Sequence, residues 1–281
     1  MSELKFILRV SRPRFWLYVL GPYLVGLAAG ISAREDLLRF DVLIFGICFL
    51  LPANLLIYGV NDIFDWETDR LNPKKAEYEM LVTPKSHRWL STLIALLNIP
   101  FAAAALAFAP QALPSFAGFV FFSIFYSAPP IRAKAIPILD SIFNVLYIFP
   151  AAFSYQMLDG NFPPISLMIA GGLWTMAMHA YSAIPDIDAD REAGVSTVAT
   201  LLGRNGTLIF CLTAYIASAL ISLPDLGYFS VIAAAVYATM MAGSFLSKSS
   251  VGIFSIYQWF PIVNSIVGFA LFWYIAWPKL F

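Results

Sequence analysis

Residues 42–69 read VLIFGICFLLPANLLIYGVNDIFDWETD, an uncharged apolar run that leads directly into a cluster of acids. A helix needs about 20 mostly apolar residues to cross a lipid bilayer, and residues 42–62 supply them. Pro52 lies within this run, but membrane helices tolerate proline because neighbouring groups satisfy the backbone atoms that it leaves unbonded. We therefore predict a membrane-spanning helix with carboxylates at its end.

The rest of the chain is equally apolar. Of its 281 residues, 60% are hydrophobic and only 12% are charged, about half the charged share of a soluble domain. The net charge is zero, so no positive field favours nucleic acid as a partner. Cys48 and Cys211 lie in apolar stretches, which indicates neither a disulfide nor a metal site. We predict an all-α fold, a polytopic membrane bundle that forms a single domain over residues 1–281 in the lipid bilayer.

Nine apolar stretches predict nine transmembrane helices. The fourth is short, and its boundary with the third depends on Pro110 and Pro114. The nine stretches lie at about residues 14–31, 42–62, 89–109, 112–127, 137–158, 164–185, 206–223, 226–246 and 255–276.

The distribution of Lys and Arg gives these helices an orientation. With the N-terminus in the cytoplasm, 14 of the 17 Lys and Arg residues fall in cytoplasmic segments, whereas Arg34, Arg39 and Lys279 fall outside. This is the bias that the positive-inside rule describes. We predict a multi-pass protein of the plasma membrane with a cytoplasmic N-terminus and its C-terminus on the outer side. Most acids also fall on the cytoplasmic side, which this rule does not explain.

Two acidic clusters follow spans on the predicted cytoplasmic face, one at residues 61–69 and one at residues 186–190. In each, a continuous helix would place carboxylates four residues apart on one face. Like charges at that spacing repel unless water or a cation neutralises them. Mg²⁺ takes carboxylate oxygens together with substrate phosphates, so two clusters predict a Mg²⁺ site that makes a bound diphosphate a good leaving group. The predicted metal ligands are Asn61, Asp62, Asp65, Asp69, Asp186 and Asp190.

The residues alone leave two other classes of protein open. Acids near a membrane can line the ion pathway of a cation channel or transporter. They can also form a solvated boundary in a purely structural membrane protein. The clusters lie at one membrane face rather than at mid-depth, which favours a substrate site over an ion pathway. We therefore favour an enzyme with a cytoplasmic active site.

Basic and aromatic residues on the same face are candidates for binding a diphosphate. The loop of residues 126–134 reads YSAPPIRAK, and its two prolines stiffen it. Its arginine and lysine can bind phosphate oxygens, although the positive-inside rule alone also explains such a pair. A tyrosine at the end of a span is either an interfacial anchor or a hydrogen-bond donor to phosphate. The candidate substrate-binding residues are Arg12, Lys75, Tyr126, Arg132, Lys134 and Tyr181.

Two polar residues inside spans lie apart from these clusters. Asp140 is four residues before Asn144 at the start of the fifth span, and we expect it to pair with Lys134. His179 lies in the sixth span, and we expect it to be a core polar residue rather than a metal ligand.

These motifs resemble those of the UbiA superfamily of intramembrane prenyltransferases. The family pattern N-D-x-x-D-x-x-x-D fits residues 61–69, D-x-x-x-D fits residues 186–190, and Y-S-x-P-P-x-R-x-K fits residues 126–134. The resemblance implies a bundle around a central cavity, Mg²⁺-assisted ionisation of an isoprenyl diphosphate donor, and attack by a lipophilic acceptor. The catalytic acids that it implies are Asp65, Asp69, Asp186 and Asp190.

Within the superfamily the chain is most similar to the lycopene elongases, at residues 11–18 (SRPRFWLY), 51–54 (LPAN) and 72–75 (NPKK). This resemblance implies transfer of a five-carbon unit from dimethylallyl diphosphate to lycopene, a hydrophobic carotenoid, as in C50 carotenoid biosynthesis. The electron-rich alkene of a carotenoid can attack an allylic cation without a dedicated base. The product cation would then lose a proton or capture water. A quinone precursor or another aromatic or polar-lipid acceptor is the alternative.

Overall fold

The structure is a computed structural model that describes residues 2–70, 80–192, 194–247 and 250–281. Helices dominate these residues and no β-strand occurs among them, which confirms the all-α class. The chain divides into two compact units. That the chain forms one domain stays a prediction. The first unit comprises Met1–Arg132, Phe149–Phe162 and Ala276–Phe281, and the second comprises Ala133–Ile148 and Pro163–Ile275.

The α-helices are numbered in chain order. Short 3₁₀ helices connect several of them, at Pro13–Phe15, Arg34–Leu38, Pro110–Ala112, Ala133–Ala135, Phe143–Tyr147 and Ile184–Asp186. The α-helices are α1 (Glu3–Ser11), α2 (Leu17–Gly30), α3 (Phe40–Cys48), α4 (Leu51–Phe64), α5 (Trp66–Asp69), α6 (Pro84–Phe108), α7 (Leu113–Phe125), α8 (Leu139–Ile142), α9 (Phe149–Asp159), α10 (Ile165–Ala183), α11 (Ile187–Glu192), α12 (Val198–Leu226), α13 (Tyr228–Leu246) and α14 (Ser250–Leu280).

The described residues contain seven helical segments that are long and apolar enough to cross a membrane. Two shorter apolar segments, Leu17–Gly30 and Pro110–Phe125, coincide with the first and fourth predicted spans. Each of the nine predicted stretches overlaps one of these segments, so the positions of the apolar helices are confirmed. The exact number of nine spans and the central cavity stay predictions. The seven longer segments are Phe40–Phe64, Pro84–Phe108, Leu139–Asp159, Ile165–Glu192, Val198–Leu226, Tyr228–Leu246 and Gly252–Leu280.

Proline marks the start of three of the helices in the first unit. Pro52, Pro84 and Pro114 lie in the first turns of α4, α6 and α7. A backbone N–H at that point would have no partner within the helix, so proline loses nothing there. The prolines therefore start these helices without weakening them.

In the first unit, α2 packs closely against α9. A Cβ atom added to Gly26 would lie 2.1 Å from the Ala151 carbonyl oxygen, and one added to Gly30 would lie 3.1 Å from that of Tyr155. Ser154 Oγ also donates a hydrogen bond to the Tyr23 carbonyl at 2.7 Å. Small residues four apart let membrane helices approach closely, so backbone contact fixes this pair.

Helix α4 places the first acidic cluster. It contacts α1, α6 and α7, and residues 52–60 are all buried. The Asn98 side chain donates to the Pro52 carbonyl at 3.2 Å, which links α6 to the start of α4. These contacts hold the C-terminal end of α4 in a defined place.

In the second unit, α12 packs against both α10 and α13. Arg204 on α12 donates to the carbonyl oxygens of Ser244 and Ser247, where α13 ends. A positive side chain is favourable there because the last carbonyls of a helix carry partial negative charge. The rings of Tyr215 and Tyr237 stack with centroids 4.5 Å apart, which joins the middles of α12 and α13.

Candidate active site

The first acidic cluster begins in the last turn of α4. Asp62 is 2% exposed and Asp65 is 3% exposed. Asp65 has φ −103° and ψ 5°, so α4 ends at Phe64 and the short helix α5 follows. The continuous helical face that the spacing suggested is therefore broken at Asp65. Carboxylates at the negative end of the helix dipole disfavour continuation of the helix.

Arg12 binds this cluster from the segment before α2. Its Nη2 donates to Asp62 Oδ1 at 2.8 Å, and its guanidinium carbon lies 4.7 Å from the centroid of the Tyr58 ring. The Arg12 backbone has φ 50°, a left-handed conformation that ends α1. A non-glycine residue in this region is strained, and such strain persists where surrounding contacts hold it. The salt bridge and the ring contact hold this arginine.

The YSAPPIRAK loop reaches the same cluster. Arg132 Nη2 lies 3.8 Å from Asp65 Oδ1, and the Arg132 backbone is also left-handed, with φ 46°. Asn61 Nδ2 donates to Ser127 Oγ at 2.9 Å. Two sequence motifs 66 residues apart at that hydrogen bond therefore meet in space. Tyr126 ends α7 and is half-buried.

The second acidic cluster follows α10. The predicted restart at Pro185 is present, because a 3₁₀ turn at Ile184–Asp186 separates α10 from α11. Asp186 and Asp190 are partly exposed. Arg191 donates to the Thr200 carbonyl at 3.2 Å and lines an open cavity of about 340 Å³ beside this cluster.

The remaining substrate-binding candidates have different surroundings. Lys134 lies in the 3₁₀ turn Ala133–Ala135 and is partly exposed. Tyr181 is fully buried, and its hydroxyl shares a 2.8 Å hydrogen bond with Ser244 Oγ. Lys75 lies outside the residues that the structure describes.

The side chains at the first cluster fit Mg²⁺ by chemistry. Within the described ranges, no three His, Cys, Asp or Glu side chains form a ready metal-binding group. The cluster nevertheless offers carboxylate oxygens from Asp62 and Asp65. The Asn61 amide nitrogen is engaged by Ser127, so its oxygen remains as the donor to a cation. Hard oxygen ligands of this kind suit Mg²⁺.

Asp140 and His179 form a contact that the sequence did not predict. The expected pairing of Asp140 with Lys134 is wrong. Asp140 Oδ2 accepts the Val198 N–H at 3.0 Å and lies 3.6 Å from His179 Nε2. Asp140 is fully buried, and the first N–H groups of α12 need an acceptor. The only local signal was a histidine within an apolar helix, because the partners are far apart in sequence.

The fold and these motifs agree with comparisons to known proteins. A model of the UbiA prenyltransferase family matches residues 19–278. A protein of Haloferax volcanii named lycopene elongase/hydratase is 38% identical over 273 residues, which are 95% of this chain and 87% of that protein. The chain belongs to the UbiA prenyltransferase family. It is therefore an integral membrane enzyme, which sets aside the transporter and scaffold alternatives.

Solved structures show the same fold. A UbiA homologue from Archaeoglobus fulgidus bound to GPP and Mg²⁺ superposes with a TM-score of 0.74 at 20% identity, covering 96% of this chain and 99% of the homologue. The same homologue bound to DMAPP and Mg²⁺ superposes with a TM-score of 0.73 at 18% identity and the same coverage.

Proposed function

We propose that this prenyltransferase adds a five-carbon unit from dimethylallyl diphosphate to lycopene. The acceptor is supported by the relative named lycopene elongase/hydratase, which matches 95% of the chain. The donor is supported by the Archaeoglobus homologue bound to DMAPP. The proposed product is a carotenoid that is longer by one five-carbon unit at each end that reacts.

The observation that carries this proposal is the set of buried carboxylates and arginines at the end of α4. Arg12 lies 2.8 Å from Asp62, and Arg132 lies 3.8 Å from Asp65. A metal–diphosphate complex needs carboxylates for its metal and cations for its phosphate oxygens. Arginine suits the second task because its guanidinium binds phosphate through two parallel hydrogen bonds.

Each predicted site residue has a role in this proposal. When bound, Mg²⁺ neutralises the charge that develops on the leaving diphosphate. The side chains that orient the diphosphate are Arg12, Lys75, Tyr126, Arg132 and Lys134. We assign Tyr181 to packing, because its hydroxyl is engaged by Ser244. The proposed metal ligands are Asn61, Asp62, Asp65, Asp69, Asp186 and Asp190, and among them Asp65, Asp69, Asp186 and Asp190 are the catalytic acids.

The proposed reaction breaks the bond between C1 of the donor and its diphosphate oxygen. The terminal alkene of lycopene supplies the electron pair for a new carbon–carbon bond to C1. The positive charge then lies on the acceptor, and a lost proton or a captured water molecule quenches it. The chain keeps the cationic centre away from bulk water, because Asp62 and Asp65 are almost completely buried.

We also propose that this site faces the cytoplasm from the plasma membrane, with the C-terminus on the outer side. The proposal is supported by the 14 of 17 Lys and Arg residues in segments of one side. A diphosphate carries several negative charges and dissolves in water, so a site open to the cytoplasm can take it up directly.

The test uses purified protein in lipid nanodiscs with lycopene, dimethylallyl diphosphate and Mg²⁺, and mass spectrometry of the products. We expect lengthened carotenoids, and none after addition of EDTA. Asp65→Asn should lower the rate at least about 100-fold, because electrostatic groups at the reacting centre contribute that much. Glu67→Gln is the control, since this nearby acid is 74% exposed. Prenylation of a quinone precursor with lycopene left unchanged would refute the proposed acceptor.

A further inference from the structure

A buried acid and a histidine in the second unit take no part in binding the donor. Asp140 is fully buried, and its Oδ2 lies 3.6 Å from Nε2 of His179, whose side chain is 18% exposed. The Val198 N–H, at the start of α12, donates to the same oxygen at 3.0 Å. Asn144 Nδ2 donates to the Asp140 carbonyl at 2.7 Å, which fixes the backbone there. The carboxylate is therefore held in one place.

The charge of Asp140 asks for more than these contacts provide. Its Oδ1 is buried and accepts no hydrogen bond from the described residues. A buried carboxylate is costly unless it is paired and hydrogen-bonded, and a buried oxygen without a donor needs an explanation. A cap for one N–H of α12 uses only one oxygen. A positive charge that forms on His179 would compensate the carboxylate.

The contact with Asp140 also orients the imidazole. In a neutral imidazole one nitrogen carries the proton and the other accepts. With Nε2–H directed at the Asp140 carboxylate, Nδ1 is the nitrogen that accepts a proton. A carboxylate in this arrangement holds the ring orientation and stabilises the imidazolium that forms.

His179 lies at a suitable depth for a reaction on a hydrocarbon acceptor. It is seven residues before Asp186 on the same helical segment, which is about two turns and roughly 10 Å along the axis. Residues seven apart lie on nearly the same helical face. Asp186 lies at the level of the diphosphate in the proposed site, and His179 lies within the apolar span α10. Its partial exposure leaves the ring accessible.

We infer that His179 is the general base that takes the proton after prenyl transfer, and that Asp140 positions it; this rests on the proposed function. In elimination, a C–H bond next to the cationic carbon breaks, its electrons form the new C=C bond, and Nδ1 takes the proton. In hydration, a water oxygen bonds to that carbon while Nδ1 takes a water proton. The imidazolium then returns its proton to water or to the released diphosphate.

The experiment measures released diphosphate and lengthened carotenoid in the same reaction. His179→Gln keeps a side chain that can donate to Asp140 but removes the base. We expect the carotenoid formed per diphosphate released to fall on the order of 100-fold, the lower end of general-base contributions. Asp140→Asn keeps an oxygen for the Val198 N–H and should lower this ratio less. His87→Gln, which changes the other histidine of the chain, should leave the ratio unchanged.

Four results would overturn a general-base role for His179. The first is a wild-type ratio in His179→Gln. The second is a parallel loss of diphosphate release and carotenoid together with a lower melting temperature, which would assign the histidine to packing. If His179→Gln does not fold, Asp140→Asn decides, and an unchanged ratio there is the third. Wild-type protein that prenylates a phenol but not lycopene is the fourth, and it refutes the proposed function first.

Discussion

At Arg12, backbone conformation and charge depend on each other. The residue has φ 50°, a conformation that costs about 1–3 kcal/mol for a non-glycine residue. Its guanidinium is the partner of Asp62, which is 2% exposed. The cost of the backbone is therefore offset by a salt bridge in a place where an uncompensated carboxylate would be much more expensive.

Replacing Arg12 with alanine tests this balance. Removing one partner of a buried ion pair costs about 3–5 kcal/mol, so Arg12→Ala should lower the melting temperature in detergent. It should also raise the KM for dimethylallyl diphosphate, because a phosphate ligand is lost. Arg9→Ala is the matched control, since Arg9 is exposed three residues earlier in α1. Equal melting temperatures for the two variants would contradict the stabilising role of the pair.

At the scale of helices, the contact between α2 and α9 is the sharpest constraint in the first unit. A Cβ at Gly26 would meet the backbone of Ala151, with 2.1 Å to its oxygen, whereas nothing lies within 4 Å of one at Gly21 in the same helix. Backbone atoms cannot move aside as a side chain can. The two glycines of one helix therefore carry opposite expectations.

Gly26→Ala should destabilise the protein by about 1–3 kcal/mol, the usual cost of overpacking. Gly21→Ala should be neutral or stabilising by up to about 1 kcal/mol, because alanine favours a helix over glycine. Thermal unfolding of both variants in the same detergent measures the difference. If both variants unfold at the same temperature, the close approach of α2 to α9 is wrong.

Local patterns predicted the elements better than the contacts between them. The apolar run at 42–62 fixed the position of α4, and Pro185 marked the turn before α11, because both signals lie within a few residues. The break at Asp65 was not predicted, since Asp65 meets Arg132 across 67 residues of chain. Asp140 likewise finds Val198 and His179 only after folding. Hydrophobic periodicity carries no information about such distant polar pairs.

For the whole molecule, the open question of the fold is whether the two shorter apolar helices cross the membrane. Leu17–Gly30 has 14 residues, fewer than the ~20 that a bilayer usually requires. A bilayer can thin locally around a short helix at modest cost. Both the seven longer helices alone and all nine together place the termini on opposite sides, so the termini by themselves do not distinguish these two cases.

Cysteine labelling in intact cells distinguishes them. Cys48 and Cys211 are buried, so a membrane-impermeant maleimide reports on introduced cysteines at exposed positions. With nine spans, Ser32→Cys and Asn161→Cys react from outside, whereas Ser2→Cys and Ala135→Cys react only after the cells are permeabilised. Equal reactivity at positions 2 and 32 would show that α2 does not cross. Reversed reactivity at positions 135 and 161 would show the same for the Pro110–Phe125 segment, and the cytoplasmic Lys/Arg bias would then need another cause.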